Sequence, residues 1–248
     1  MNALRIENLT KIYPQFTLHE VSFTLAQGRI MGLIGKNGAG KSTTLKSILN
    51  LVSPDGGTIE ILGRPCPEQE LECKQRLGVV LGGIDFYLNS RLSVITDVTR
   101  RFYRDWDDGA YRRYLEEFDL DPAKRVQELS AGMRVKYLVA LALSHHAELF
   151  IFDEPTSGLD PVSRDELLTL FQALVADGKR SILFSTHITS DLEKCADDIT
   201  YIKDGRILAS AEKAAFLQSF QHLRTSEDTA PLTLEDIMVR TERREFHV

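Results

Sequence analysis

The chain has 248 residues, of which 43% are hydrophobic and 27% charged, a balance that suits an ordinary globular fold with a sizeable core. Its formal net charge of −6 argues against the basic footprint that nucleic-acid binding needs, so no nucleic-acid partner is expected. Cys66, Cys73 and Cys195 fit no zinc spacing and read as reduced thiols, the N-terminus has early charges and no signal-like apolar run, and the longest apolar stretch, 137–143, is too short to span a bilayer.

Strand-like and helix-like segments alternate along the chain, which predicts an α/β fold. Residues 29–35, RIMGLIG, read as a buried strand that runs into GKNGAGKST at 35–43, and STTLKSILNL then reads as a helix. TIEILG at 58–63 reads as an antiparallel strand. Leu77 to Leu81 form a short apolar run that ends in Gly82 and Gly83, adjacent glycines that on local grounds turn the chain. In 109–120, Tyr111, Tyr114, Leu115 and Phe118 fall at i, i+3, i+4 and i+7, the pattern of an amphipathic helix with a core-facing aromatic stripe. LSAGM at 129–133 opens another helix, with Ser130 as its natural N-cap. LFIFDEP at 149–155 and SILFST at 181–186 read as buried strands, and 199–210 as a hairpin turning at Asp204-Gly205. Beyond about residue 222 the chain turns polar and loop-like, until LTLEDIMVRTE predicts a short capped helix.

Two of these segments carry chemistry. Gly35-x-x-x-x-Gly40-Lys41-Ser42, set between a strand and a helix, is a P-loop: its glycines expose backbone N–H groups to phosphate oxygens, and the helix N-terminus adds partial positive charge. Lys41 reaches the β- and γ-phosphates, and the Ser42 hydroxyl can ligate Mg²⁺. The apolar run Leu149 to Phe152 delivers Asp153 and Glu154 to the carboxyl end of a strand, where open α/β sheets bind ligands. Asp153 suits the Mg²⁺ site, and Glu154 can polarise an attacking water. Nucleotide binding alone needs no second carboxylate, so the pair points to hydrolysis.

LSAGM resembles the signature of ATP-binding-cassette (ABC) ATPases, which usually reads Leu-Ser-Gly-Gly-Gln. TSGLD at 156–160 follows the carboxylates as the family's D-loop does, STH at 185–187 puts His187 at the switch-histidine position, and Tyr13 stands at a spacing like that of the aromatic that stacks on adenine. The resemblance covers roughly residues 3–210. Ala131 replaces a glycine and Met133 the glutamine, while Ser130 and Gly132 remain. The resemblance implies a P-loop NTPase cassette with a RecA-like core, an antiparallel β subdomain and an α-helical subdomain at about 84–140. The ATP-binding domain would span 1–222, and 223–248 would be a short tail. ATP and Mg²⁺ are the implied ligands. Tyr13, Gly35, Asn37, Gly38, Ala39, Gly40, Lys41, Ser42 and Thr43 would bind nucleotide, Ser42 and Asp153 the metal, and Glu154 and His187 would act in hydrolysis. Ser130, Ala131 and Gly132 would face the ATP of a second copy or homologue, with Asp160 at the dimer interface.

RLGVVLGGIDFYLNSRLSVITDV, LALSHHAELFIFDEPTSGLDP and DGKRSILFSTHITSDLEKCADDITYI are similar to bacterial exporter ATPases for drugs and for antimicrobial or amphipathic peptides. That likeness implies a transmembrane permease on a separate chain and a place at the cytoplasmic face of the bacterial cell membrane. The alternative is a soluble assembly ATPase of the iron–sulfur-cluster type. Laid on the family's pattern, Gly82 takes the place of a glutamine that approaches Mg²⁺, with Gly83 as the alternative one residue on. Phe86 and Tyr87 lie where a permease's coupling helix would dock, and burial in the helical subdomain is the other reading.

Overall fold

The computed structural model describes residues 1–81, 87–225, 228 and 230–243. The expected turn at Gly82 and Gly83, and Phe86 after it, lie outside the described residues. Two sheets form the frame. The antiparallel one has the order β2 (Phe16–Ala26), β1 (Asn2–Tyr13), β4 (Gly56–Ile61), β5 (Arg64–Cys66). The second has the order β10 (Arg206–Glu212), β9 (Asp198–Lys203), β3 (Ile30–Ile34), β8 (Ser181–Thr186), β7 (Leu149–Asp153), β6 (Leu77–Val80). Its strands run parallel from β9 to β6, and only β10 pairs antiparallel, through the hairpin expected at Asp204-Gly205.

The central strands β3, β7 and β8 are buried along their whole length, which is why they read as unbroken apolar runs rather than alternating ones. Alternate residues go to opposite faces. Phe150, Phe152, Ile182 and Phe184 join a core beneath α5 (Ala131–Ser144) and α6 (Pro161–Val175), where Phe152 stacks on Phe171 with centroids 4.7 Å apart. Leu149, Ile151 and Leu183 face the other way, into a core shared with the antiparallel sheet and α1 (Lys41–Ile48). The nucleotide-binding loop is thus carried on a strand clamped from both faces.

Between β5 and β6 lies α2 (Glu70–Gln75). After the segment outside the described residues come α3 (Leu92–Thr99) and α4 (Asp108–Glu117), which with α5 make the helical subdomain. The stripe expected in 109–120 is the buried face of α4: Tyr111, Leu115 and Phe118 are buried and Tyr114 packs against them. The polar ends of this core are satisfied: the Thr96 hydroxyl lies 2.7 Å from that of Tyr111 and 2.9 Å from that of Tyr137.

Past β8 come α7 (Thr189–Cys195), α8 (Lys213–Ser219) and α9 (Leu234–Glu242). The capped helix expected near the C-terminus is α9, where Thr233 and Asp236 exchange hydrogen bonds in a capping box. It does not trail as a polar tail. Leu232, Leu234 and Ile237 are buried in the larger core, Glu242 accepts a 2.9 Å hydrogen bond from Tyr201, and Arg240 forks onto Asp228.

Candidate active site

The site forms where the carboxyl ends of β3, β7 and β8 meet the N-terminus of α1. Gly35 leaves β3 where any Cβ would lie 2.3 Å from the Ile202 carbonyl, so only glycine fits. Gly40, at φ +114°, makes the sharp entry into α1 with its Cα face against Phe16 and Leu18. The loop between them wraps around the buried Lys41 ammonium, which donates to the Gly35 carbonyl at 2.7 Å.

Opposite stand the two carboxylates. Asp153 ends β7 and is buried; its Oδ1 accepts from Ser42 at 3.1 Å and from Ser185 at 2.6 Å. Ser185 reaches it because β7 and β8 run parallel with Asp153 and Ser185 in register. The same Ser185 hydroxyl accepts the Glu154 N–H at 3.0 Å. Glu154 sits at φ +51°, a left-handed conformation that costs a non-glycine residue energy and that these hydrogen bonds help hold. The kink brings Glu154 into the cleft. There its carboxylate meets Lys41 at 3.4 Å and His187 Nδ1 at 2.8 Å.

Lys41, Glu154 and His187 line a cleft of about 690 Å³, together with Gln15, Phe16, Asn37, Gly38, Gly40, Ser42, Thr43 and Ser157. The Lys41 ammonium and the Glu154 carboxylate pair across this cleft. Ser42 and Asp153 are a hard oxygen pair of the kind Mg²⁺ takes when substrate phosphates and water supply the rest of its shell. Asn37 and Gly38 lie open at the loop tip, whereas Ala39 is buried beneath it.

A model of the family described as ABC transporter matches residues 18–157. The chain belongs to the ABC transporter family. It is 33% identical over 208 residues to the bacitracin transport ATP-binding protein of Bacillus licheniformis, covering 83% of this chain and 68% of that one. It is 35% identical over 224 residues to the Nod factor export ATP-binding protein I of Burkholderia orbicola, covering 86% and 71%. A solved ATP-binding subunit of an ABC transporter superposes with a TM-score of 0.83 at 27% identity, over 97% of this chain and all of that one. As an ABC ATPase the chain binds ATP, and its hydrolysis is coupled to transport. Subunits of this family work with transmembrane components, and no helix among the described residues is long and apolar enough to cross a membrane.

Within this ABC ATPase, the fold brings Gly35, Asn37, Gly38, Gly40, Lys41, Ser42, Thr43, Asp153, Glu154 and His187 together at and beside the cleft. The signature does not join them. Ser130 caps α5, accepting the Met133 N–H at 3.2 Å, and stays exposed with Ala131, away from the cleft-lining set. Gly132 is buried where a Cβ would press to 3.2 Å from Ser163, so α5 and α6 approach closely there. Asp160 is exposed and caps α6 by accepting from the Val162 and Ser163 N–H groups at 3.0 Å; the Ser163 side chain first, and then these N–H groups, hold its carboxyl below the usual range. Tyr13 sits on the exposed end of the β1–β2 hairpin under Lys11, while its register partner Phe16 faces the cleft.

Sequence reasoning missed Ser185, Gln15 and Phe16. It also missed the buried Asp191, which accepts from Thr156 at 2.6 Å and from Arg164 at 2.5 Å and so ties the segment after Glu154 to α6 and α7. Ser185 carried no local signal, because only the pairing of β8 with β7 brings its hydroxyl to Asp153.

Proposed function

We propose that this chain is the ATP-hydrolysing subunit of an exporter, and that it works as a head-to-tail pair with a second copy or a homologue. The observation that carries this reading is a cleft complete on one side only. Lys41, Asp153, Glu154 and His187 are gathered within one chain, while Ser130 and Ala131 at the capped start of α5 are exposed and line no part of the cleft. In the pair, Ser130, Ala131 and Gly132 face the γ-phosphate bound by the opposite chain, and Asp160 lies at the contact. ATP binds with its phosphates in the Gly35–Thr43 loop and its base on the hairpin end that carries Tyr13 and Phe16.

Ser42 and Asp153 would hold Mg²⁺, which supplies charge neutralisation for the β- and γ-phosphates. Lys41 gives up Glu154 to bind phosphate, leaving that carboxylate free to orient a water and take its proton. His187 keeps Glu154 in place through Nδ1 and would contact the γ-phosphate. Export is supported by relatives named for bacitracin transport and Nod factor export. A permease on a separate chain would dock on the helical subdomain, where Tyr87, Val94, Val98 and Phe102 are exposed, and would hold the chain at the cytoplasmic face of the membrane.

The test is purification from native membranes with and without Lys41→Ala. A multi-span protein should co-purify with both forms, and Mg²⁺-dependent ATP turnover should disappear from the variant. Recovery with a soluble scaffold instead, or turnover that survives Lys41→Ala, overturns the reading.

A further inference from the structure

The joint between the antiparallel sheet and the helical subdomain holds two cysteines that the nucleotide chemistry does not use. Cys66 ends β5 and Cys73 lies within α2, and the fold brings their Sγ atoms to 2.7 Å. Both are free thiols. Among the described residues no third His, Cys, Asp or Glu joins a group that could hold a metal, so the pair is not part of a cation site. Cys66 is half-exposed and Cys73 buried, which orders their roles: a reagent meets Cys66 first, and Cys73 stands behind it. Cys195 is buried by itself against the Asp191 carbonyl.

We propose that Cys66 and Cys73 form a redox-active dithiol that closes to an intramolecular disulfide when a low-molecular-weight disulfide oxidises it. The Cys66 thiolate attacks one sulfur of the oxidant, the oxidant's S–S bond breaks, and one small thiol leaves with a proton. Cys73 then attacks Cys66 Sγ, the mixed disulfide breaks, and the second small thiol leaves with the second proton. Two electrons pass from the protein thiols to the oxidant, which is reduced to two thiols. Burial pushes both thiols above their ordinary range, so the first step is slow at neutral pH and speeds up as pH rises, while the second is intramolecular.

The bridge would weld β5 to α2. That helix carries Glu72 and Gln75, which hold Arg104 by its guanidinium and its N–H, and Gln75 also donates to the Phe102 carbonyl at 2.8 Å. Oxidation would therefore stiffen the connection between the antiparallel sheet and the segment at 102–104 that leads into α4. Neither cysteine lines the nucleotide cleft, so ATP affinity stays as it is.

The experiment equilibrates the full chain with mixtures of oxidised and reduced glutathione, folded and in urea, and maps thiols by acid quench, alkylation and peptide mass spectrometry. The folded chain should link Cys66 to Cys73, leave Cys195 free, and favour the bridge at least about tenfold over the unfolded chain, with Tm raised by a few degrees on oxidation. Cys73→Ser should stop at a glutathione adduct on Cys66, and Cys66→Ser should leave Cys73 unmodified. The wild-type comparison stands even where a variant folds poorly. A bridge no more favoured in the folded chain than in urea, a stable glutathione adduct on wild-type Cys66, or oxidation of Cys195 first overturns the proposal.

Discussion

The cleft and the start of α5 are the two places where the proposed function puts phosphate, yet they are built in opposite ways. The cleft is assembled from the ends of buried strands, and its charges already answer one another: Lys41 with Glu154, Glu154 with His187, Asp153 with two hydroxyls. The start of α5 is a single capped helix end, exposed, with no counter-charge from its own chain in the cleft-lining set. The cleft binds by preorganised chemistry, and the helix end contributes only when something brings a phosphate to it. The difference bears on the proposed pairing: the groups of the cleft belong to one chain, and the proposed role of the helix end calls for a second.

The sharpest way to break this comparison is to remove chemistry from the cleft while leaving its shape. Glu154→Gln keeps the side chain's size but cannot take a proton from water. ATP binding should persist and kcat fall by about 10²-fold or more, with gel filtration in ATP showing a longer-lived dimer. An unchanged kcat would remove Glu154 from its role.

A second probe reaches the far end of the same signature helix. His145 follows α5, stacks on Tyr103 at 3.6 Å and has Nδ1 3.1 Å from the Gln75 carbonyl. Burial pushes its pKa down to about 4. The unfolded chain takes up this proton near the ordinary histidine value and the folded chain only near 4, so the stability is present at neutral pH and lost as pH falls between those values. Urea unfolding should show about 2 kcal/mol lost from this group between pH 7 and pH 5. His145→Gln should flatten that slope, and an equal slope in the variant would locate the acid sensitivity elsewhere.

The third probe separates the two phosphate sites directly. Ser130→Arg places a bulky cation where the partner's γ-phosphate must arrive. ATP binding to the same chain's loop should be unchanged, and hydrolysis by the assembled pair should fall at least about tenfold, because preorganised donors at the transferring phosphate are lost. Normal hydrolysis in the full complex would mean that the cleft completes itself without a second chain.

What the sequence made legible is local. The Gly-Lys-Ser spacing at 35–42, the acidic strand end at 153–154 and the cap at Ser130 each lie within a few residues, and each folds as its own segment dictates. Ser185 was hidden because its role depends on the register of β8 against β7, a pairing across 32 residues that no local pattern fixes. The docked α9 was hidden for a related reason. Leu232, Leu234 and Ile237 give a short helix a narrow apolar edge, and only the core they meet turns that edge into burial. The close approach of Cys66 to Cys73 likewise depends on how α2 folds back on β5.

The smallest expected effect concerns the aromatic that meets the base. The resemblance to ABC ATPases points to Tyr13, but the ring facing the cleft is that of Phe16, its register partner across the hairpin. Tyr13 is 39% exposed on the rim with Lys11 over its ring, whereas the Phe16 edge packs against the Gly40 backbone. An aromatic face under a base is worth about 1–3 kcal/mol by truncation, and a partly solvated one falls at the lower end. Phe16→Leu keeps the bulk beside Gly40 and loses the flat face. It should weaken ATP binding by about fivefold, near 1 kcal/mol, and leave inorganic triphosphate binding untouched, since the phosphate loop does not read the base. Tyr13→Ala should cost the same or less. A Tyr13→Ala loss tenfold greater than that of Phe16→Leu would place the base on the rim. Equal weakening of ATP and triphosphate by Phe16→Leu would instead make Phe16 a packing residue for the loop, and the cleft would recognise its nucleotide through phosphates alone.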